Sequence, residues 1–327
     1  MDQVADDPRY VKCEVGLPIQ SELVVPLIMQ DRVLGVLDLE SLKPFAFNKD
    51  HEQMLTVLAS TIAIAIENAR LYDQLRRAEQ SKKADLERAR EVQQLLLPKE
   101  MPEFPGLDVA VLYLPAQELG GDFYDFLPYH EGRFAVAVGD VAGKGSAAAL
   151  LASLGVGILR EHAVHQASRT DEMLADLNGH LQIPGGNGRF IAMAFGVYDP
   201  ATAELALANA GFPQPILVRN GRATTVEVSG VPLGLLPDST YDAVRLQLQP
   251  GDLVVFCSDG VQEQNNAYEE EFGSERLVST LAEFCNSQSA EQVASGIMRA
   301  INEYAGENSC RECSDDRTIV VLRFTDR

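Results

Sequence analysis

Apolar and polar positions along the chain fall into three regions of different period. Up to about residue 47, two runs read as strands, Ser21-Glu-Leu-Val-Val-Pro-Leu-Ile-Met29 and Val33-Leu-Gly-Val-Leu-Asp-Leu39. Gln30-Asp31-Arg32 forms a short turn between them. Such a hairpin is too small to fold alone. From about Asn48 to Leu97 there is neither glycine nor proline, and Pro98 ends the stretch. Leu55, Leu58, Ile62, Ala65, Ala69 and Tyr72 recur at helical steps. Leu86, Ala89, Gln93 and Leu96 do so again in a different phase, beyond a segment dense in both signs of charge. The pattern predicts a long helix that pairs as a two-stranded coiled coil with a register shift midway. A single exposed linker helix is the alternative.

The third region, from about Pro102 to Arg327, mixes both periods. Strands are expected at Leu107–Leu114, Phe134–Val138, Phe190–Tyr198, Ala203–Ala208, Pro215–Val218, Thr224–Val228, Ala243–Leu248, Leu253–Cys257 and Thr318–Phe324. Asn220-Gly221 is the sharpest hairpin signal in the chain. Helices are expected at Ser146–His165, Thr170–Leu181, Ser274–Glu283 and Ala290–Tyr304. Most strands follow strands and the helices come in pairs, which favours an α+β arrangement of antiparallel sheets covered by helices.

Acidic residues sit where apolar strands end. Phe134-Ala-Val-Ala-Val-Gly139 runs into Asp140, and Leu253-Val-Val-Phe-Cys-Ser258 into Asp259. Gly120-Gly121 precedes Asp122, and Asp315-Asp316 opens the last strand. One such aspartate is an ordinary turn residue. Four together, two of them beside glycines that allow close approach, predict an oxygen-rich cage without His or Cys. That donor set suits magnesium or manganese. Val138 to Gly145 lacks the first Gly and last Ser or Thr of a phosphate-binding loop, and no GxSxG elbow is present. His162 and His165 share a helix without zinc-protease spacing.

Composition narrows the partners. With 27 basic and 48 acidic residues the formal charge is −21, which disfavours nucleic acid and anionic membrane surfaces. Five scattered cysteines (Cys13, Cys257, Cys285, Cys310, Cys313) do not form a disulfide framework, and Cys310-Arg-Glu-Cys313 is a lone CxxC. No uninterrupted apolar run reaches the ~18 residues of a membrane span. The start of the chain does not resemble a signal peptide. A cytoplasmic location is expected.

Five motifs occur in order: Gly120-Gly-Asp-Phe-Tyr-Asp-Phe126, Gly139-Asp-Val-Ala-Gly-Lys-Gly145, Ala208-Asn-Ala-Gly-Phe-Pro213, Gly251-Asp-Leu-Val-Val-Phe-Cys-Ser-Asp-Gly-Val261 with Glu263, and Asp315-Asp-Arg-Thr318. This series resembles the SpoIIE-type branch of the metal-dependent protein phosphatases (PPM) over about residues 86–327. The resemblance implies two stacked antiparallel sheets flanked by helices. It implies two Mn2+ or Mg2+ ions held by Asp122, Asp140, the Val141 carbonyl, Asp259 and Asp315, with Asp316 a further candidate. Asp122, Asp140, Asp259 and Asp315 are the expected catalytic set. Phe212 departs from the histidine of many relatives. Asp7-Pro-Arg-Tyr10, Ser21–Leu27 and Ala63-Ile-Ala-Ile-Glu-Asn-Ala-Arg-Leu-Tyr72 resemble the second half of an α/β GAF domain. The expected organisation is a partial GAF domain over 1–75, a helical linker over 76–98 and the phosphatase over 99–327.

The implied chemistry is attack of a metal-activated water on phosphorus without a phosphoenzyme. The implied substrate is phosphoserine or phosphothreonine on a STAS-domain anti-anti-sigma factor, within a signalling partner switch. A homodimer through the linker is expected. A catalytically inactive module is one alternative. A nucleotide cyclase of the GGDEF type is another, but Phe123 stands where that signature needs Glu, and Asp259 and Asp315 would be unexplained. A histidine kinase is disfavoured because residues 52–129 contain no histidine.

Overall fold

The computed structural model describes residues 18–98, 101–165, 169–182, 188–284, 289–306 and 315–325. Asp7–Tyr10 and Cys13, Cys285, Cys310 and Cys313 lie outside them. The chain divides into two compact units, Met1–Ala84 and Asp85–Arg327.

In the first unit, β1 (Ser21–Met29) and β2 (Arg32–Ser41) form the expected antiparallel hairpin, with Val25 opposite Leu37. The long helix α1 (Lys49–Gln94) is continuous. Its face against the hairpin is Leu55, Ala59 and Ala63, which pack on Val25 and Leu27. Leu58 and Tyr72, members of the stripe expected to form a coiled-coil seam, are exposed. Alanines at a four-residue spacing let the helix backbone lie close to the strands.

The second unit is built on β3 (Leu107–Leu114), β4 (Phe123–Pro128), β5 (Phe134–Val141), β6 (Ile191–Asp199), β7 (Glu204–Ala210), β8 (Ile216–Arg219), β9 (Arg222–Thr225), β10 (Ala243–Gln247), β11 (Leu253–Cys257) and β12 (Arg317–Phe324). They form two five-stranded sheets, β10-β7-β6-β5-β4 and β3-β12-β11-β8-β9. Every pairing is antiparallel. Helices α2 (Ser146–His165) and α3 (Thr170–His180) cover the first sheet, and α5 (Gly273–Ala282) and α6 (Ala290–Ala305) cover the second. The four-residue α4 (Asp259–Gln262) follows β11.

Strand alternation explains why the central strands read as unbroken apolar runs. In β5, Ala135 and Ala137 face the helices while Val136 and Val138 face the other sheet. In β12, Ile319 and Val321 face helices while Val320 and Leu322 enter the sandwich. Both faces are buried, so both parities are apolar. Asn220 (φ 50°) and Gly221 (φ 77°) turn β8 into β9, the left-handed pair that a two-residue hairpin needs. β4 and α4 were not anticipated as elements. Asp125 breaks the apolar run of β4, and α4 is too short for a periodic signal.

Two helices, α1 and α2, are long and apolar enough by length and composition to cross a membrane. Neither contains an uninterrupted apolar run of that length, because small and polar residues interrupt both. In α2 those small residues, Ala148, Ala149, Ala152 and Gly155, are buried, and the alanines at 148 and 152 belong to the core under the first sheet.

Phe256 is fully buried at the centre of the inter-sheet core. Phe256→Ala is expected to lower unfolding free energy by about 3–5 kcal/mol, measured by urea denaturation, with no change in secondary structure.

Candidate metal centre

The antiparallel order brings four strand ends from two sheets to one end of the sandwich. Asp140 is the penultimate residue of β5, and Asp122 immediately precedes β4 in the same sheet. Asp259 starts α4 one residue after β11, and Asp315 and Asp316 lead into β12 in the other sheet. A hydrogen bond crosses between the sheets here: Thr318 Oγ1 donates to Asp122 Oδ2 at 2.6 Å. Asp122 is 1% exposed, and its Oδ1 is buried without a hydrogen-bond partner. An unpartnered buried carboxylate oxygen is costly unless a cation satisfies it, so this atom fits a metal ligand. Ser258 braces the other sheet. Its hydroxyl accepts from Thr318 N–H at 2.9 Å and donates to the Asp316 carbonyl at 3.3 Å.

Asp316 does different work. Its Oδ1 accepts from Ala116 N–H at 2.7 Å, and its Oδ2 accepts from Gly121 N–H at 2.5 Å and Asp122 N–H at 3.2 Å. Glycines make these approaches possible. A Cβ on Gly120 would collide with the Tyr113 hydroxyl and Asp316 Oδ2, and one on Gly260 would collide with the Asp316 carbonyl. Gly121 packs against the Val141 carbonyl, where a Cβ would lie 3.2 Å from that oxygen.

The carboxylates perturb one another. Burial, then the charge of Asp140, holds the Asp122 carboxyl well above its ordinary range. Burial, then Asp259 and Asp315, pushes Asp140 up to about 7. Burial, then Asp315, raises Asp259. Lys144 Nζ lies 2.9 Å from Asp315 Oδ2. Among the described residues, the acidic trio whose oxygens close to within 4.8 Å is Glu22, Asp38 and Glu40 on the hairpin. The four site aspartates do not close to that spacing as a group.

Three contacts around the site carry no sequence signal. The Gln93 side chain, near the end of α1, donates from Nε2 to the Gly120 carbonyl at 2.7 Å and accepts from Gly120 N–H at 3.3 Å. Arg160 of α2 donates to buried Asp125 at 2.6 Å and to the Leu96 carbonyl at 2.6 Å. The third is the Lys144–Asp315 pair. Partners 27 to 171 positions apart have no periodicity to betray them. Phe212 lies in the inter-sheet core, with its backbone held by the Asn209 side chain.

Two stacked antiparallel sheets with helices on both sides define the PP2C phosphatase fold. The SiaA-PP2C domain of Pseudomonas aeruginosa superposes with a TM-score of 0.67 at 22% identity, over 76% of this chain and 98% of that domain. The chain belongs to the SpoIIE family, since the family model described as Stage II sporulation protein E (SpoIIE) matches residues 130–325. A GAF domain model matches residues 4–68. Protein IcfG of Synechocystis is 27% identical over 226 residues, 60% of this chain and 35% of IcfG. Phosphoserine phosphatase RsbU of Bacillus subtilis is 28% identical over 260 residues, 77% of this chain and 73% of RsbU. The chain thus spans about a third of IcfG and about three quarters of RsbU.

The raised Asp140 carboxyl sets a pH dependence. Metal binding requires the ionised form, so Mn2+ affinity is expected to fall as pH drops through about 7 and to level off above it, measured by calorimetry. The sign for stability is opposite. Between the unfolded carboxyl value of ~4 and about 7 the folded protein binds a proton that the unfolded chain does not. Stability in chelator is therefore expected to decline as pH rises across that window.

Proposed function

We propose that this chain is a metal-dependent protein serine/threonine phosphatase acting on phosphoserine or phosphothreonine of a STAS-type protein in a partner switch. The observation that carries the reading is the gathering of Asp122, Asp140, Asp259 and Asp315 from two sheets at one end of the sandwich, with an unpartnered buried oxygen on Asp122. PP2C-type phosphatases are metal dependent, and an oxygen-only donor set suits Mn2+ or Mg2+. Two such ions supply positive charge for phosphoryl oxygens and a water of lowered pKa. The four aspartates and the Val141 carbonyl are assigned to hold them. Asp316, a further ligand candidate from sequence, is assigned instead to positioning the Gly120–Asp122 backbone, which its carboxylate already binds. Thr318 orients Asp122. Cys257 is no nucleophile in this scheme, because it is buried on the helix side of β11 and burial pushes its thiol up to about 12. Similarity to RsbU supports a phosphoprotein substrate.

The reading extends to control. Residues 1–75 serve as a sensory region and 76–98 as a linker to the phosphatase over 99–327. Val57, Ile64 and Leu71 are exposed on α1 at seven-residue spacing, which supports a homodimeric coiled coil. The Gln93 amide reads both backbone groups of Gly120, two residues before Asp122, so displacement of the helix end bears on that ligand. The charge of −21 supports a cytoplasmic protein that binds neither nucleic acid nor membrane.

Two measurements test this. With Mn2+ and a phosphorylated STAS-type protein, the wild type is expected to release phosphate, and Asp140→Asn or Asp259→Asn to lose activity by about 100-fold or more. Full activity in excess chelator, or rapid turnover of a metabolite while the STAS protein stays phosphorylated, would refute the assignment. Insertion of one residue near Ser81, a rotation of about 100°, is expected to change specific activity severalfold, whereas insertion of seven restores coiled-coil phase and changes it little. Equal activity in both variants, or a monomer by light scattering, would reduce the helix to a tether.

A further inference from the structure

Lys144 sits between Gly143 (φ 106°) and Gly145 (φ 77°), and a Cβ on Gly143 would meet nothing within 4 Å. The loop is open, and glycines on both sides leave the lysine's backbone able to turn at little steric cost. Its side chain is half exposed, yet the ammonium lies 2.9 Å from Asp315 Oδ2, on a carboxylate expected to hold metal. The 20-residue helix α2 begins at Ser146, so its positive N-terminal end opens on the same turn. The charges of Asp259 and Asp316 also act on Lys144, which places its ammonium within the field of the whole acidic end.

A divalent ion and an ammonium cannot share one carboxylate oxygen at contact distance without strong repulsion. Asp315 Oδ1 already accepts from Asp316 N–H at 2.9 Å, so a metal taking Oδ2 would displace Lys144, and the flanking glycines let its loop turn the ammonium to the next nearest anion. In a phosphatase that anion is the phosphoryl group. We propose that Lys144 is an exchangeable counter-ion, which neutralises Asp315 before a divalent cation takes that carboxylate and then binds the phosphoryl oxygens of the substrate. This rests on the metal-dependent phosphatase reading. It adds a residue that tunes metal affinity downwards and phosphate affinity upwards, through a single charge.

The test uses the full chain with Lys144→Met and Lys144→Arg, and two ligands, Mn2+ alone and inorganic phosphate with Mn2+ saturating, both followed by calorimetry. Lys144→Met is expected to bind Mn2+ roughly two- to fivefold more tightly, the scale of a lost exposed ion pair. It is expected to bind phosphate about tenfold more weakly, the scale of a lost charge-assisted hydrogen bond. Lys144→Arg is expected to stay near wild type in both. Unchanged or weaker Mn2+ binding by Lys144→Met, or unchanged phosphate binding, overturns the proposal while leaving the phosphatase reading intact. A wild type that binds no Mn2+ overturns both. Should Lys144→Met lose the native circular dichroism, Lys144→Gln carries the same comparison.

Discussion

The carboxylate of Asp316 accepts three backbone N–H groups, from Ala116, Gly121 and Asp122, in the segment that enters the opposite sheet. The cost of burying that charge is offset by three charge-assisted hydrogen bonds, and the result is that the start of β12 and the start of β4 are fixed relative to each other. Everything chemical at this end depends on the registration. Asp122 receives the Thr318 hydroxyl only because β12 is held there, and Gly260 reaches the Asp316 carbonyl only because β11 pairs with β12. Removing the latch would leave two sound sheets with no common site.

Much of this is legible in the sequence. Strands buried on both faces announce themselves as apolar runs, so β3 and β11 match their expected bounds, whereas β9 (Arg222–Thr225), largely exposed, shares only Thr224 and Thr225 with the expected Thr224–Val228. The strand-end aspartates are visible because four of them follow or precede apolar runs, whereas one alone reads as an ordinary turn residue. The less visible parts share a physical cause. β4 carries Asp125 on its helix-facing side, where only Arg160 makes it tolerable, and that partner is 35 residues away. The helix face against the hairpin carries little sequence signal, because two of its three buried residues, Ala59 and Ala63, are alanines. The role of Asp316 was not separable from that of Asp315, because adjacent carboxylates look alike until their hydrogen bonds are known.

The site also shows how a family pattern and a physical pattern complement each other. Oxygen donors at converging strand ends are the donor set that suits a hard cation, and the chain belongs to the SpoIIE family with a PP2C-type phosphatase fold. Neither consideration distinguishes ligands from braces. The hydrogen bonds separate the two kinds of group: the hydroxyls of Ser258 and Thr318 are engaged within the protein, whereas Asp122 keeps one buried oxygen without a partner.

The pairing of β3 with β12 joins the first and last strands of the phosphatase unit, from Leu107 opposite Phe324 to Leu114 opposite Arg317. Contacts of such sequence separation close late in folding, because the loop entropy must be lost before the contact is gained. During synthesis the ribosome releases Asp122, Asp140 and Asp259 well before Asp315, Asp316 and β12. A nascent chain thus carries three of the four site aspartates with no latch to gather them. The second sheet is complete only when β12 emerges to pair between β3 and β11.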